Sequence, residues 1–259
     1  IFQPAEENEG GGRVMVEEGL FDRFPMDAVF GLHNMPGHPV GQILVRPGAI
    51  TAAADVATAR IIGVAGHGAL PHLAADPIVA AASVVMALQT AVSRNVDPLE
   101  PVVLTVGAIH GGVLATAIPD VVEMKIGVRT TSNEGQALME RRVPEIIQQQ
   151  ALSFGCRAEV SYGEGARYPV GYNDPQAAQL VRQIALDLGQ EAAKVDLPGP
   201  IMFSEDFAYF LQQVPGCFFG LGAGDIRGLH DPAYDFNDAL IVPGVAFWAR
   251  LVEAALQRG

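Results

Sequence analysis

Residues 76–95 read DPIVAAASVVMALQTAVSRN, and their reading decides the fold. Asp76 is a helix N-cap, and Pro77 suits the first helical turn, where a missing N–H removes no hydrogen bond. The Ala, Val, Leu and Met pattern running to about Asn95 predicts a well-buried helix. Working outward, Asp55–Ala65 is strand-like before it, and Val102–Ile109 and Val121–Arg129 are strands after it. Ser132 is a candidate cap for a second long helix ending near Gly155, and Arg157–Tyr162 is a fourth strand. The succession β-α-β-β-α-β is the split pattern of a ferredoxin-like α+β sandwich. It occupies residues 52–167.

The flanks have a different character. Residues 1–10 read as a strand end followed by an acidic turn, and Gly10-Gly11-Gly12 frees the backbone before a short helix through Val14 to Leu20. Asp27–Leu32 is a buried strand ending at His33. Gly41–Arg46 is another, closed by Pro47-Gly48. Beyond Pro169, Asp174–Leu188 is a helix with Gly189 as its stop. Ser204-Glu205-Asp206 is read as the cap of a short helix, Phe207–Leu211. Cys217–Leu221 is a buried strand, and Val242–Gln257 is a terminal helix. Residues 1–51 and 168–259 are therefore expected to form one α/β domain, with 52–167 inserted between them.

Composition narrows the function classes. The 259 residues carry 16 Lys+Arg against 29 Asp+Glu, a net charge of -13, and 49% are hydrophobic. That is a globular chain. Its scattered basic residues argue against binding a phosphate backbone, because no cationic patch exists to displace counterions. The longest uncharged apolar runs, Pro77–Ser93 and Pro101–Pro119, contain Pro, Gly, Gln or His and read as core elements, so no membrane partner is expected. Cys156 and Cys217 lie far apart with no CxxC spacing, which suits a reducing, cytoplasmic setting. The opening Ile1-Phe2-Gln3-Pro4 reads as the end of a buried strand, so further residues are expected before Ile1.

Several residue types could carry chemistry. Glu6-Glu7 places two carboxylates side by side, which a divalent metal would compensate; a solvated acidic turn continued by Glu9 explains them as well. His33 and His230 are candidate metal ligands, since imidazole with carboxylate suits Zn, Mn, Co or Ni, or else hydrogen-bonded structural residues. His67 sits in a glycine-flanked turn and could polarise a carbonyl, or simply belong to a surface turn. Arg129 ends a strand and could grip a carboxylate or pair with a nearby acid. Ser204-Glu205-Asp206 could support a metal from behind or serve only as a helix cap. No GxSxG elbow, GxxxxGK[ST] or GxGxxG is present, and neither cysteine has an activating context.

Six ordered segments carry a resemblance. FQPAEENEGGGRVMVEEG (Phe2–Gly19), GLHNMPGHPVG (Gly31–Gly41), GHGALPH with ADP (Gly66–Pro77), IPD (Ile118–Asp120), SEDFAYFLQQVPG (Ser204–Gly216) and LHDPAYDFND (Leu229–Asp238) resemble the metal-dependent aminoacylase/carboxypeptidase family. The branch is that of hippurate hydrolase and the N-acyl-amino-acid amidohydrolases. The resemblance covers essentially the whole chain. It implies a phosphorylase/hydrolase-like catalytic domain, incomplete here, with the inserted unit as lid and homodimerisation domain. Glu6 resembles the general base that takes a proton from the attacking water and returns it to the leaving amine. Glu7, His33 and His230 resemble ligands of two divalent ions that activate water and polarise the scissile carbonyl. His67 resembles the residue that reaches across from the partner's inserted domain to the oxyanion. Arg129 resembles the partner arginine that holds a substrate carboxylate, and Thr116 and His72 occupy further substrate-binding positions.

The chain departs from that pattern in two places. The family's Cys-Gly-His-Asp-Gly-His motif, with two more ligands, has no counterpart here, and about a third of a typical family chain is unmatched. Where the family usually has Asn-Val-Ile-Pro, this chain has Thr116-Ala117-Ile118-Pro119. Two functions are therefore carried forward. One is hydrolysis of the amide of an N-acyl amino acid, such as a hippurate-like or N-acetyl substrate, with weak metal binding and low activity expected of this chain alone. The other is a truncated, non-catalytic fragment that dimerises or binds acyl amino acids.

Overall fold

The computed structural model describes residues 1–163, 165, 167–190 and 195–256. The chain opens with three short helices, α1 (Glu6–Glu9), α2 (Gly11–Glu17) and α3 (Leu20–Arg23). Strands β1 (Val29–Pro36), β2 (Ile43–Leu44), β3 (Gly48–Thr51), β4 (Ala53–Ile62) and β5 (Gly66–His67) follow, then α4 (Pro77–Ser93). Next come β6 (Val102–Gly111), β7 (Ala117–Ile118), β8 (Val121–Thr130), α5 (Asn133–Leu152), β9 (Arg157–Tyr162) and β10 (Gly171–Asn173). The chain continues with α6 (Pro175–Asp187), α7 (Ala208–Leu211), β11 (Gly216–Gly224) and α8 (Ile241–Leu256).

Two sheets organise the molecule. In the first, β11 lies between β1, which runs parallel to it, and β2, which runs antiparallel. Every β11 residue from Gly216 to Ala223 is buried, as expected of a strand covered on both faces. On one face Phe219, Leu221 and Cys217 pack against α6 and α8 through Val181, Ile184, Phe247 and Leu251. On the other, Phe218 meets Phe207, Phe210 and Val29, with Met15, Val16 and Phe21 closing the layer. Fully buried Asn173 joins the pieces: its amide donates to the carbonyls of Arg46 (3.0 Å) and Phe218 (2.8 Å), and its Oδ1 accepts from Phe218 N–H (2.7 Å).

The second sheet has the order β6-β8-β4-β9, with every neighbour antiparallel. The β-α-β-β-α-β succession places α4 and α5 on one face. Ala80, Ala81, Val84, Leu88 and Ala91 of α4 and Met139, Val143, Ile147 and Ala151 of α5 meet alternate residues of β4 and β8. The small α4 side chains let that helix approach closely, and period-two alternation explains the sheet's single apolar face. Its other face carries solvent-exposed pairs of Arg60 with Glu123 (3.5 Å) and Glu159 (3.0 Å). The caps act as their chemistry dictates. Asp76 Oδ1 accepts from Ile78 N–H, Ser132 Oγ from Gly135 N–H, and Asp174 Oδ1 from Gln176 and Ala177 N–H.

Several sequence expectations are corrected. Ile1 and Phe2 form no strand end; Phe2 is fully exposed, and the acidic turn coils into α1. His33 does not terminate its strand, because β1 continues to Pro36 with His33 opposite Gly220. Of Gly41–Arg46 only Ile43–Leu44 pairs as a strand, since the antiparallel contact with β11 is two residues long. Ser204 is not a helix cap: its hydroxyl accepts from Arg129, and Glu205 takes the Phe207 N–H. Pro101–Pro119 is not wholly core, for Val113 and Leu114 are exposed in the loop after β6. The end expected for the last helix at Gln257 lies outside the described residues. Asp238–Leu256 is 19 residues long with mean hydropathy 1.6, enough in length and composition to cross a membrane, yet Phe247 and Leu251 of this stretch lie in the core.

Candidate functional site

The two sheets meet at a cleft of about 570 Å³. Glu6, Glu7, His33, Tyr168, Phe203, Ser204, Glu205 and His230 line one side, and Ala54, Val56 and Arg129 the other. Among the described residues only Ala5 (φ 55°) and His230 (φ 67°) are non-glycine residues with positive φ. A left-handed alanine costs about 1 kcal/mol, so its surroundings must hold it there.

Those surroundings are tight. Gly11 N–H bonds Ala5 O at 3.1 Å, and a Cβ on Gly11 would stand 1.8 Å from Pro4 O. Only glycine fits, which accounts for part of the Gly10–Gly12 run. Fully buried Asp206 anchors the turn from the other side. It accepts from Gln3 Nε2 at 2.6 and 2.7 Å and from Gly12 N–H at 2.7 Å. Tyr168 donates its hydroxyl to the Glu6 carbonyl at 2.6 Å. Together these contacts present Glu6 to the cleft.

One carboxylate oxygen each of Glu6, Glu205 and Asp206 lies within 4.8 Å of the others. Burial, reinforced by Glu6 and Asp206, pushes the Glu205 carboxyl up to about 8. Burial, then Asp206 and Glu7, raises Glu6. Crowded acids that resist ionisation are what a cation relieves, so this donor set fits a divalent ion. His230 Nε2 stands 3.7 Å from Glu7 Oε2, a mixed imidazole–carboxylate pair at the rim. His33 Nδ1 contacts Asn34 O at 2.8 Å. A carbonyl can only accept, so in the neutral ring Nδ1 holds the proton and Nε2 keeps its lone pair. Rings of Phe203 and Phe218 hold the imidazole, at 6.0 and 6.1 Å between centroids.

The structure thus brings together Glu6, Glu7, His33, Arg129 and His230. Arg129 Nη1 donates to Ser204 Oγ at 2.6 Å, so it lies in this chain's own cleft. His67, His72 and Thr116 are not in its lining. His67 pairs with Ala117 in the β5–β7 ribbon, and Gly68 N–H bonds Thr116 O at 2.8 Å, so these two lie together. His72 sits in the 3-10 turn Pro71–Leu73. All three are exposed. Sequence reading missed Gln3 and Tyr168, which carry no local signal, and weighed Glu205 and Asp206 only as support.

Comparison with known proteins identifies the family. Residues 1–254 match the model of peptidase family M20/M25/M40. A hippurate hydrolase of Campylobacter jejuni is 35% identical over 250 residues, 96% of this chain and 65% of that protein. An N-acetyldiaminopimelate deacetylase of Leuconostoc citreum is 38% identical over 245 residues, 94% of this chain and 62% of that protein. The chain spans less than two thirds of the length of either relative. The crystal structure of a dinuclear metal-binding peptidase of the M20 family from Bacillus subtilis superposes with a TM-score of 0.79 at 27% identity, covering 99% of this chain and 64% of that one. The match over nearly the whole chain, carried by relatives above 30% identity, is decisive: the chain belongs to peptidase family M20/M25/M40.

Proposed function

We propose that the protein hydrolyses the amide bond of N-acyl amino acids, hippurate-like or N-acetyl, in a metal-dependent reaction. The observation that carries this reading is the convergence of Glu6, Glu7, His33, Glu205 and His230 on a cleft that also holds Arg129, with buried Asp206 behind Glu6 and Glu205. Glu7, His33 and His230 would hold two divalent ions of the Zn, Mn, Co or Ni type, with Glu205 adding an oxygen donor. When bound, such ions supply Lewis acidity at the reacting carbonyl and water. Glu6 takes a proton from the attacking water and delivers it to the leaving amine; its raised affinity for protons suits that exchange. Arg129, held by Ser204, binds the carboxylate of the amino acid. Ala54 and Val56, with Phe203 facing them across the cleft, accept the acyl group.

Residues 1–51 and 168–259 form the catalytic part in this reading, and 52–167 the lid and dimerisation part, in a cytoplasmic homodimer. Exposed His67, with Thr116 and His72, would then serve the partner's cleft. The experiment is a comparison of N-benzoylglycine with N-benzoylglycinamide for the protein and its Arg129→Met variant. Arg129→Met should raise KM for the carboxylated substrate at least tenfold and leave the neutral one within about twofold. Equal effects on both substrates would refute the assignment.

A further inference from the structure

Tyr168 joins the two sides of the cleft, which the Arg129–Ser204 bond also links. Its backbone N–H bonds Ala54 O at 3.0 Å, and its carbonyl accepts from Ala54 N–H at 2.9 Å. Both bonds tie its main chain to the root of β4, the strand that supplies Ala54 and Val56 to the cleft wall. From there the mostly buried ring reaches across, and its hydroxyl donates to the Glu6 carbonyl at 2.6 Å. Gln3 and Gly12 act on its flanks by bonding Asp206, and the Asp206 main chain bonds the end of the Glu6 side chain. Tyr168 holds residue 6 itself, one residue after left-handed Ala5. A four-residue helix has little stability of its own, so the direction of the Glu6 side chain depends on such external contacts.

We propose that Tyr168 is a positioning residue: its hydroxyl, by fixing the Glu6 carbonyl, sets the direction of the Glu6 carboxylate and couples it to the wall formed by β4. The kinetic part of this inference rests on the hydrolytic reading above; the structural part does not. A rotation of the Glu6 peptide would swing the carboxylate away from Glu205 and Asp206 without disturbing the apolar wall or Arg129. The hydroxyl therefore acts on turnover and not on substrate affinity.

The test compares the protein with Tyr168→Phe and Tyr209→Phe. Tyr209 donates its hydroxyl to Arg167 O, the neighbouring residue of the same segment, so its loss reports on packing of the segment alone. Tyr168→Phe should lower kcat for N-benzoylglycine about tenfold with KM within about twofold, the size of one lost hydrogen bond. Amide exchange over residues 6–11 should accelerate several-fold while β1 and β11 keep their protection. Tyr209→Phe should leave both readouts near those of the unaltered protein. Unchanged exchange and kcat in Tyr168→Phe, a change in KM instead of kcat, or equal effects of the two variants would overturn the proposal. If the unaltered protein hydrolyses no N-acyl amino acid, the hydrolytic reading fails, and the exchange comparison still decides the role of Tyr168.

Discussion

Gln3 and Asp206 lie 203 positions apart, yet the Gln3 amide stands 2.6 and 2.7 Å from the two carboxylate oxygens of Asp206. This contact, with Gly12 N–H on the same carboxylate, docks the first turn of the chain onto the segment before α7. Asp206 is fully buried, so its hydrogen bonds are made without competition from water. Asp206→Ala should therefore destabilise the fold by about 3 kcal/mol, because it strands the Gly12 N–H and the Gln3 amide together. Denaturant unfolding measures this; a midpoint unchanged from that of the unaltered protein would contradict the anchor.

A methyl group at Gly11 has nowhere to go, because its Cβ would stand 1.8 Å from Pro4 O. Gly11→Ala must displace the turn carrying Glu6 and Glu7. The expected outcome is a loss of about 1–3 kcal/mol together with at least tenfold weaker divalent-metal binding, read by titration calorimetry. Full metal affinity in this variant would show that the turn does not hold the ligands.

The metal-free protein should lose stability as pH rises. Glu205 holds its proton up to about 8 in the folded chain, against an ordinary value of 4.5. An acid whose folded value is raised contributes stability that is complete below the unfolded value and is lost as pH climbs through the folded one. The fall should lie between about pH 4.5 and 8, and Glu205→Gln should flatten it. Metal binding near pH 7 should release about one proton from this site, seen as a dependence of the calorimetric heat on buffer ionisation enthalpy. A slope of opposite sign in the metal-free protein would contradict the assignment.

Asn173 makes three buried hydrogen bonds to the main chain of Arg46 and Phe218. Asn173→Ala leaves those backbone groups unmet and should cost about 3 kcal/mol, far more than the loss of an exposed pair such as Arg60 with Glu159. Thermal unfolding of the two single variants, Asn173→Ala and Arg60→Ala, checks the ranking.

The second sheet was legible in the sequence because its signals are local. Asp76 and Ser132 cap its helices from the positions their side chains dictate, and the alternation of β4 and β8 follows the pleat. Ser204 was misread for the same reason: a cap-like residue before an apolar run looks alike whether it caps or accepts from a distant Arg129. Glu6, Glu7, His33 and His230 were named from motifs, and they do converge. What made them a site was not readable. Gln3 and Tyr168 act through contacts spanning well over a hundred residues, and no local pattern encodes such contacts; Glu205 and Asp206 were weighed as support for a metal, but not as neighbours of Glu6.

Glu6 is proposed as the base of a metal-dependent amide hydrolysis in this cleft. Its most direct test is the release of benzoate from N-benzoylglycine by the metal-loaded protein, the chelated protein and metal-loaded Glu6→Gln. Hydrolysis should be abolished by chelation and restored by added divalent metal, and kcat should fall about 10³-fold for Glu6→Gln with metal still bound. Hydrolysis that survives chelation, or a Glu6→Gln variant that turns over like the unaltered protein, would contradict it.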